Sequence, residues 1–244
     1  MALDYNRLAL CEEIVKYSHQ LDQKGFTANH DGNITCKYQN LLLATPTAVS
    51  KGDMRVEMVI ALDMQGNKVD GIGKPFSEIK LHLAAYTTRG ETKAVIHAHP
   101  PFATARGLLN SPVICSLPEA IVSIGECVPV APYAMPGTPE SEAGVAEILT
   151  KYDACLIAGN GVLAIGDTIE QAYLRLELVE HLAKIDYYAK TMGRPMELPT
   201  QDVAKLLEKR AAAGFGPTSV PASPNLASQQ LRDLIACELK ELLK

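Results

Sequence analysis

The sequence predicts an α/β protein with a mixed or largely antiparallel central sheet and helices packed on its faces. Two observations point there. Strand-like and helix-like segments alternate along the chain, and several neighbouring strand-like runs are joined by turns too short for the crossover that parallel pairing needs. Taken in order, residues 4–24 carry Leu8, Cys11, Val15 and Leu21 at helical spacing, with Asp4 as N-cap and Gly25 as stop. Three strand-like runs follow, "NITCKY" (33–38), "LLLAT" (41–45) and "RVEMVIALD" (55–63), and "MQGN" (64–67) reads as a hairpin turn. Beyond Pro75 a helical pattern over 77–89 leads into the strand "KAVIHA" (93–98) and a helix over 101–109. A strand at "ECVPVAPY" (126–133), a helix over 139–151, the strand pair "ACLIAG" (154–159) and "GVLAIG" (161–166), and a long helix from Thr168 to Met192 complete the pattern.

The composition shifts once. "GFGPTSVPASPNLAS" (214–228) is rich in Gly, Pro and Ser and reads as a linker. Beyond it, Leu231, Leu234, Ile235, Leu239 and Leu242 share one helical face. The predicted organisation is a domain over 1–213, a linker over 214–228 and an amphipathic helix over 229–244.

Charge and cysteine usage exclude several classes of function. A net charge of −5, with basic residues scattered among acids, offers no footprint for nucleic acid or an anionic membrane. Six cysteines without a C-x-x-C pair, mostly in apolar runs, read as reduced core residues of a cytoplasmic protein. The acids within "MALDYNRLALCEEIVKYS" argue against a signal peptide. No apolar stretch reaches the ~18 residues that span a bilayer.

The chemistry concentrates in "AVIHAHPPFATA" (94–105). Residues two apart in a strand face the same way, so His97 and His99 present both rings to one side, where a single ion can bridge them. Pro100 ends the strand and sets His99 at its rim. Packed or surface histidines are the alternative. A second candidate is Glu78, which the helix start at Pro75 and Ser77 would place in a first turn, favoured there by the helix dipole.

"KPFSEIKLHLAAYTTRGETKAVIHAHPPFATA", then "VPVAPYAMPGT" and "ACLIAGNGVLAIGDTIEQAYLRLELVEHLAKI" resemble the class II aldolase/adducin family, in consistent order over residues 5–212. Its enzymic members include fuculose-phosphate and rhamnulose-phosphate aldolases and ribulose-phosphate 4-epimerase. The resemblance implies a three-layer α/β/α fold with a central, mainly antiparallel sheet. It also implies a homotetramer with active sites between subunits, and a divalent metal, usually zinc, with manganese or another ion as alternatives. Carried over, His97 and His99 are metal ligands, and Glu78 ligates the metal or serves as acid/base. Gly32 and Asn33 of "DGNIT" and Thr45 and Thr47 of "ATPTAV" form the phosphate-binding turns, with Ser77 adding a hydroxyl.

The sequence departs from the family at several positions. Asn160 stands where the family's third histidine is expected, and an amide oxygen is a weaker zinc ligand than imidazole. Three readings are open: Glu78, His97, His99 and Asn160 hold zinc or manganese weakly; the protein is a metal-free, non-catalytic oligomeric relative; or the asparagine is an engineered change. His181 and His82 are secondary candidates, the first as substitute ligand, the second to orient Glu78. Phe76-Ser77 replaces a pair of serines and Ala48 a glycine, and Glu119 of "SLPEAIVSIGE" is the candidate second acid/base. The implied reaction is metal-dependent cleavage of a sugar phosphate to dihydroxyacetone phosphate and an aldehyde. Epimerisation, dehydration or decarboxylation through the same enediolate chemistry is the alternative. The C-terminal linker and helix resemble peptides that target enzymes to a bacterial microcompartment shell, and docking on a neighbouring subunit is the other reading.

Overall fold

The structure is a computed structural model that describes residues 5–216. Asp4, most of the predicted linker and the predicted C-terminal helix lie outside the described residues. No helix among those described is long and apolar enough to cross a membrane.

The first helix, α1 (Tyr5–Gln23), buries Cys11, Ile14, Tyr17 and Leu21 along one stripe. Just beyond it, Gly25 takes a φ of +68° that turns the chain back toward the sheet. Ten strands follow: β1 (Asn33–Tyr38), β2 (Leu41–Ala44), β3 (Ile60–Leu62), β4 (Lys68–Asp70), β5 (Ala94–Ala98), β6 (Val113–Ile114), β7 (Cys127–Val128), β8 (Val130–Ala131), β9 (Ala154–Ile157) and β10 (Gly161–Gly166). Between and after them lie α2 (Ile79–Thr88), α3 (Pro101–Leu108), α4 (Pro118–Ile124), α5 (Pro139–Leu149), α6 (Ile169–Met192) and α7 (Thr200–Ala212).

Eight strands form the central sheet in the order β4-β3-β2-β1-β5-β10-β9-β8. Every pair in it is antiparallel except β8 with β9. β6 and β7 form a separate two-stranded ladder. The expected three layers are present, because strand alternation divides the core in two. Ile34, Cys36, Ala94, Ile96, Ala98, Val162 and Ala164 face a layer that includes α1, α3, α4 and α6. Leu42, Ile60, Leu62, Val95, Leu163 and Ile165 face α2 and α5. The five described cysteines are buried and unbonded, in keeping with their reading as core residues.

Several local expectations need correction. "RVEMVIALD" is not one strand: Val56–Met58 is a 3-10 turn and only Ile60–Leu62 pairs. "ECVPVAPY" divides around Pro129, its first half pairing with β6 and its second with β9. α2 begins at Ile79, so Glu78 occupies the N-cap position rather than the first turn. α4 and α7 were not anticipated. α4 spans 7 residues, too short for a helical period to show. α7 did carry a signal, since Val203, Leu206 and Leu207 are spaced for one face and pack against the core.

Candidate active site

β5 lies at the middle of the sheet, paired with β1 on one side and β10 on the other, and His97 stands opposite both Asn33 and Leu163. Its side chain therefore has the parity of Val95 and points toward the α2 layer, where Glu78 begins the helix. His97 is fully buried, and its Nδ1 lies 2.9 Å from the Val162 carbonyl oxygen. A carbonyl accepts only, so Nδ1 carries a proton and Nε2 is the nitrogen turned to the rest of the group. That Nε2 is 3.1 Å from His99 Nε2 and 3.4 Å from Glu78 Oε2. His99 Nδ1 in turn faces Asp31 Oδ2 at 3.6 Å.

Glu78 is held by two amides. Asn33 Nδ2 donates to Oε2 at 3.1 Å and Asn160 Nδ2 donates to Oε1 at 2.6 Å. Burial pushes its carboxyl upward, but the charge of His97 and the amide donors Asn160 and Asn33 outweigh burial, leaving it below the usual carboxylate range. Burial, then the charge of His97, hold His99 below its ordinary value. The same two causes in the same order push His82 down to about 3, so that ring is neutral.

Two glycines let the backbone come this close. Gly32 has a φ of +75°, and a Cβ there would sit 2.6 Å from Thr27 Cγ2 and 3.1 Å from the His97 oxygen. Gly161, at φ +83°, would place a Cβ 2.5 Å from His99 Cδ2. A side chain at Gly161 would displace the His99 ring.

The structure brings Glu78, His97, His99, Asn33 and Asn160 into one connected group. The side chain of Asn33 is committed there, its Oδ1 lying 2.6 Å from His82 Nε2. Thr45 is buried, and its hydroxyl accepts the Ile34 N–H at 3.1 Å. Thr47 and Ser77 are exposed on neighbouring turns, and the Thr47 N–H donates to the Lys74 carbonyl. Glu119 stands apart, exposed at the start of α4, and among the described residues no hydrogen bond or ion pair joins it to this group. His181 is likewise exposed on α6. Sequence reasoning missed Asp31, Thr35 and Tyr86. The last two carried a signal, Thr35 two residues after Asn33 on the same strand face and Tyr86 four after His82 on the same helix face.

Could the group hold a metal? Two ligands of one tetrahedral zinc ion lie about 3.3 Å apart when each is about 2.0–2.1 Å from it. The spacings of 3.1 Å and 3.4 Å around His97 Nε2 are close to that, and two imidazoles with a carboxylate are a zinc-type donor set. Two imidazole nitrogens facing each other at 3.1 Å also favour a cation or a proton between them. Glu78, His97 and His99 therefore fit a divalent ion by donor type, with His97 Nε2 spaced for it from each of the other two. Among the described residues, however, no group of three or more His, Cys, Asp or Glu side chains already stands arranged around an ion position. Asn160, whose Nδ2 turns to Glu78, is placed here to support the carboxylate.

Comparison with known proteins points to one family. The profile of the Class II Aldolase and Adducin N-terminal domain matches residues 12–187. A 5-deoxy-D-ribulose 1-phosphate aldolase of Bacillus thuringiensis is 31% identical over 81% of this chain and 93% of its own length. A 3-oxo-tetronate 4-phosphate decarboxylase of Haemophilus influenzae is 31% identical over 83% of this chain and 98% of its own. Among solved structures, an L-fuculose 1-phosphate aldolase superposes with a TM-score of 0.76 at 32% identity, covering 82% of this chain and 95% of that one.

Proposed function

The chain belongs to the class II aldolase and adducin family, and from that premise we propose that it is a metal-dependent aldolase. Its substrate would be a sugar phosphate of the fuculose or rhamnulose type, cleaved to dihydroxyacetone phosphate and an aldehyde. The observation that carries this reading is Glu78, a carboxylate clasped by two amides and set 3.4 Å from the Nε2 of a fully buried imidazole.

A divalent cation held by His97, His99 and Glu78, zinc by donor type, would supply electrophilic stabilisation of negative charge on the substrate oxygens as the carbon–carbon bond breaks. Glu78 would move the proton, and a general acid or base of this kind is worth about 10²–10⁴ in rate. Asn33 and Asn160 keep its carboxylate oriented for that transfer. His97, locked through Nδ1 to Val162, cannot rotate away. The backbone N–H groups around Gly32, with Thr47 and Ser77 at the surface, offer donors to the phosphate.

A second reading is decarboxylation of a keto-acid phosphate, favoured by the similarity to the Haemophilus influenzae decarboxylase. It uses the same charge stabilisation with carbon dioxide as the leaving group.

The test is to purify the protein and an Asn160→His variant, measure bound divalent ion, and assay release of dihydroxyacetone phosphate from fuculose 1-phosphate. Stoichiometric metal with cleavage by the natural chain supports the proposal. Carbon dioxide release from 3-oxo-tetronate 4-phosphate without cleavage moves it to the second reading. Metal and activity in the variant alone would mean a degenerate site, and metal in neither protein ends the aldolase reading.

A further inference from the structure

Behind Asn33 the hydrogen bonds continue through the α2 layer. Asn33 Oδ1 meets His82 Nε2 at 2.6 Å, His82 Nδ1 meets Thr35 Oγ1 at 2.8 Å, and Thr35 Oγ1 meets the Tyr86 hydroxyl at 2.8 Å. His82 and Thr35 are fully buried, and Tyr86 is 4% exposed. The direction of each bond can be deduced from donor and acceptor chemistry alone.

The Glu78 carboxylate accepts, so Asn33 must present its NH₂ to it and its carbonyl oxygen to His82. A carbonyl oxygen cannot donate, so His82 carries its proton on Nε2. In a neutral ring Nδ1 is then bare, so the Thr35 hydroxyl donates to it. The single Thr35 proton is thereby used, and the Tyr86 phenol must donate to Thr35. All four bonds point the same way, from Tyr86 toward Glu78.

We propose that Tyr86, Thr35 and His82 are positioning residues, a one-directional hydrogen-bond relay that pins the Asn33 amide with its NH₂ on Glu78. None of the three touches substrate in this scheme. Their work is to forbid the flipped amide, which would set the Asn33 carbonyl oxygen against the carboxylate, acceptor on acceptor. The relay polarises but does not conduct, because an amide between His82 and Glu78 does not pass a proton along. The inference rests on the reading of Glu78 as the group that moves the proton, and part of its test is independent of that reading.

Thr35→Val removes the hydroxyl at constant shape, Thr35→Ser restores it, and Tyr86→Phe removes the far end. In cleavage assays Thr35→Val should lower kcat about tenfold with KM within about twofold, Thr35→Ser should recover most of the loss, and Tyr86→Phe should show a smaller deficit of the same kind. Equal impairment of Thr35→Val and Thr35→Ser, or a loss confined to KM, would mean packing alone and overturn the relay. Nitrogen-15 spectra of the histidine side chains in the unmodified protein, recorded without substrate, decide the direction without any activity. A His82 proton on Nε2, protected from exchange and perturbed by Tyr86→Phe, supports it. A proton on Nδ1 overturns it, even if the protein proves not to be an aldolase. If Thr35→Val does not fold, Thr35→Ser and Tyr86→Phe with these spectra still decide.

Discussion

Two carboxylates, one buried and one half-buried, mark opposite ends of β9, and they are surrounded in opposite ways. Asp153, immediately before the strand, is fully buried among three guanidiniums. Arg89 at the end of α2 lies 3.2 Å from it, Arg175 of α6 lies 2.9 Å from it, and Arg210 of α7 bonds it as well. Glu78 contacts Asn160 in the turn that follows the strand, and its partners are two amides and an imidazole. The difference teaches how one sheet uses the same functional group twice. A carboxylate bound by fixed cations ties three helices together. One bound chiefly by amide donors is held in place yet remains free to exchange a proton or to ligate an ion.

The largest expected effect comes from breaking the first of these. Asp153→Ala leaves three buried guanidiniums without their shared counter-charge and should cost about 3–5 kcal/mol of stability. Urea unfolding measures it, and the surviving folded protein should keep its activity. A loss below about 1 kcal/mol would mean that the arginines are satisfied by their carbonyl contacts and, for Arg89, by Glu91.

Glu78→Gln tests the other end. It should lower kcat about 10²–10³-fold, equivalent to about 3–4 kcal/mol of barrier. Stability should fall by only about 1–2 kcal/mol, since the glutamine side chain keeps one acceptor and turns its NH₂ against the other amide donor. A large stability change with unaltered kcat would reverse the roles assigned to the two carboxylates.

A third carboxylate sharpens the contrast. Glu180 of α6 is 6% exposed and accepts the backbone N–H groups of Phe102 and Ala103 at the start of α3, at 3.1 Å and 2.8 Å. Burial raises its carboxyl above the ordinary value, and those two N–H groups and Lys184 only partly offset it. The folded protein therefore holds this proton over an interval of pH in which the unfolded chain has lost it. Stability should fall as pH rises through that interval, and Glu180→Gln should flatten the slope. Thermal unfolding across the range measures it. This is the smallest of the three effects, and an unchanged slope would mean that the two N–H bonds fully compensate burial.

Much of the fold was legible because its signals are local. β1, β2, β5, β9, β10 and α6 sit within a residue or two of their predicted places, since apolar alternation and helical spacing persist there over enough residues. The failures fall where the pattern is short or divided, as in the seven residues of α4 and the strand broken at Pro129. The site was legible in part for the same reason. His97 and His99 share a strand face by spacing alone, and Glu78, though misplaced by one position, was singled out at a helix start. What Asn33 and Asn160 do was not legible. The resemblance assigns one to phosphate and one to the metal, and the structure adds that both side chains donate to Glu78.

The sequence by itself determined which residues could share a face, because strand and helix periods are properties of consecutive residues. Only the tertiary structure decided which faces meet. Asn33 lies 45 residues and Asn160 lies 82 residues from Glu78 along the chain. No local rule links them. They meet because β1, β5 and β10 pair side by side and α2 packs across them, and the direction of every hydrogen bond in that contact follows from which acceptor the packing happens to bury.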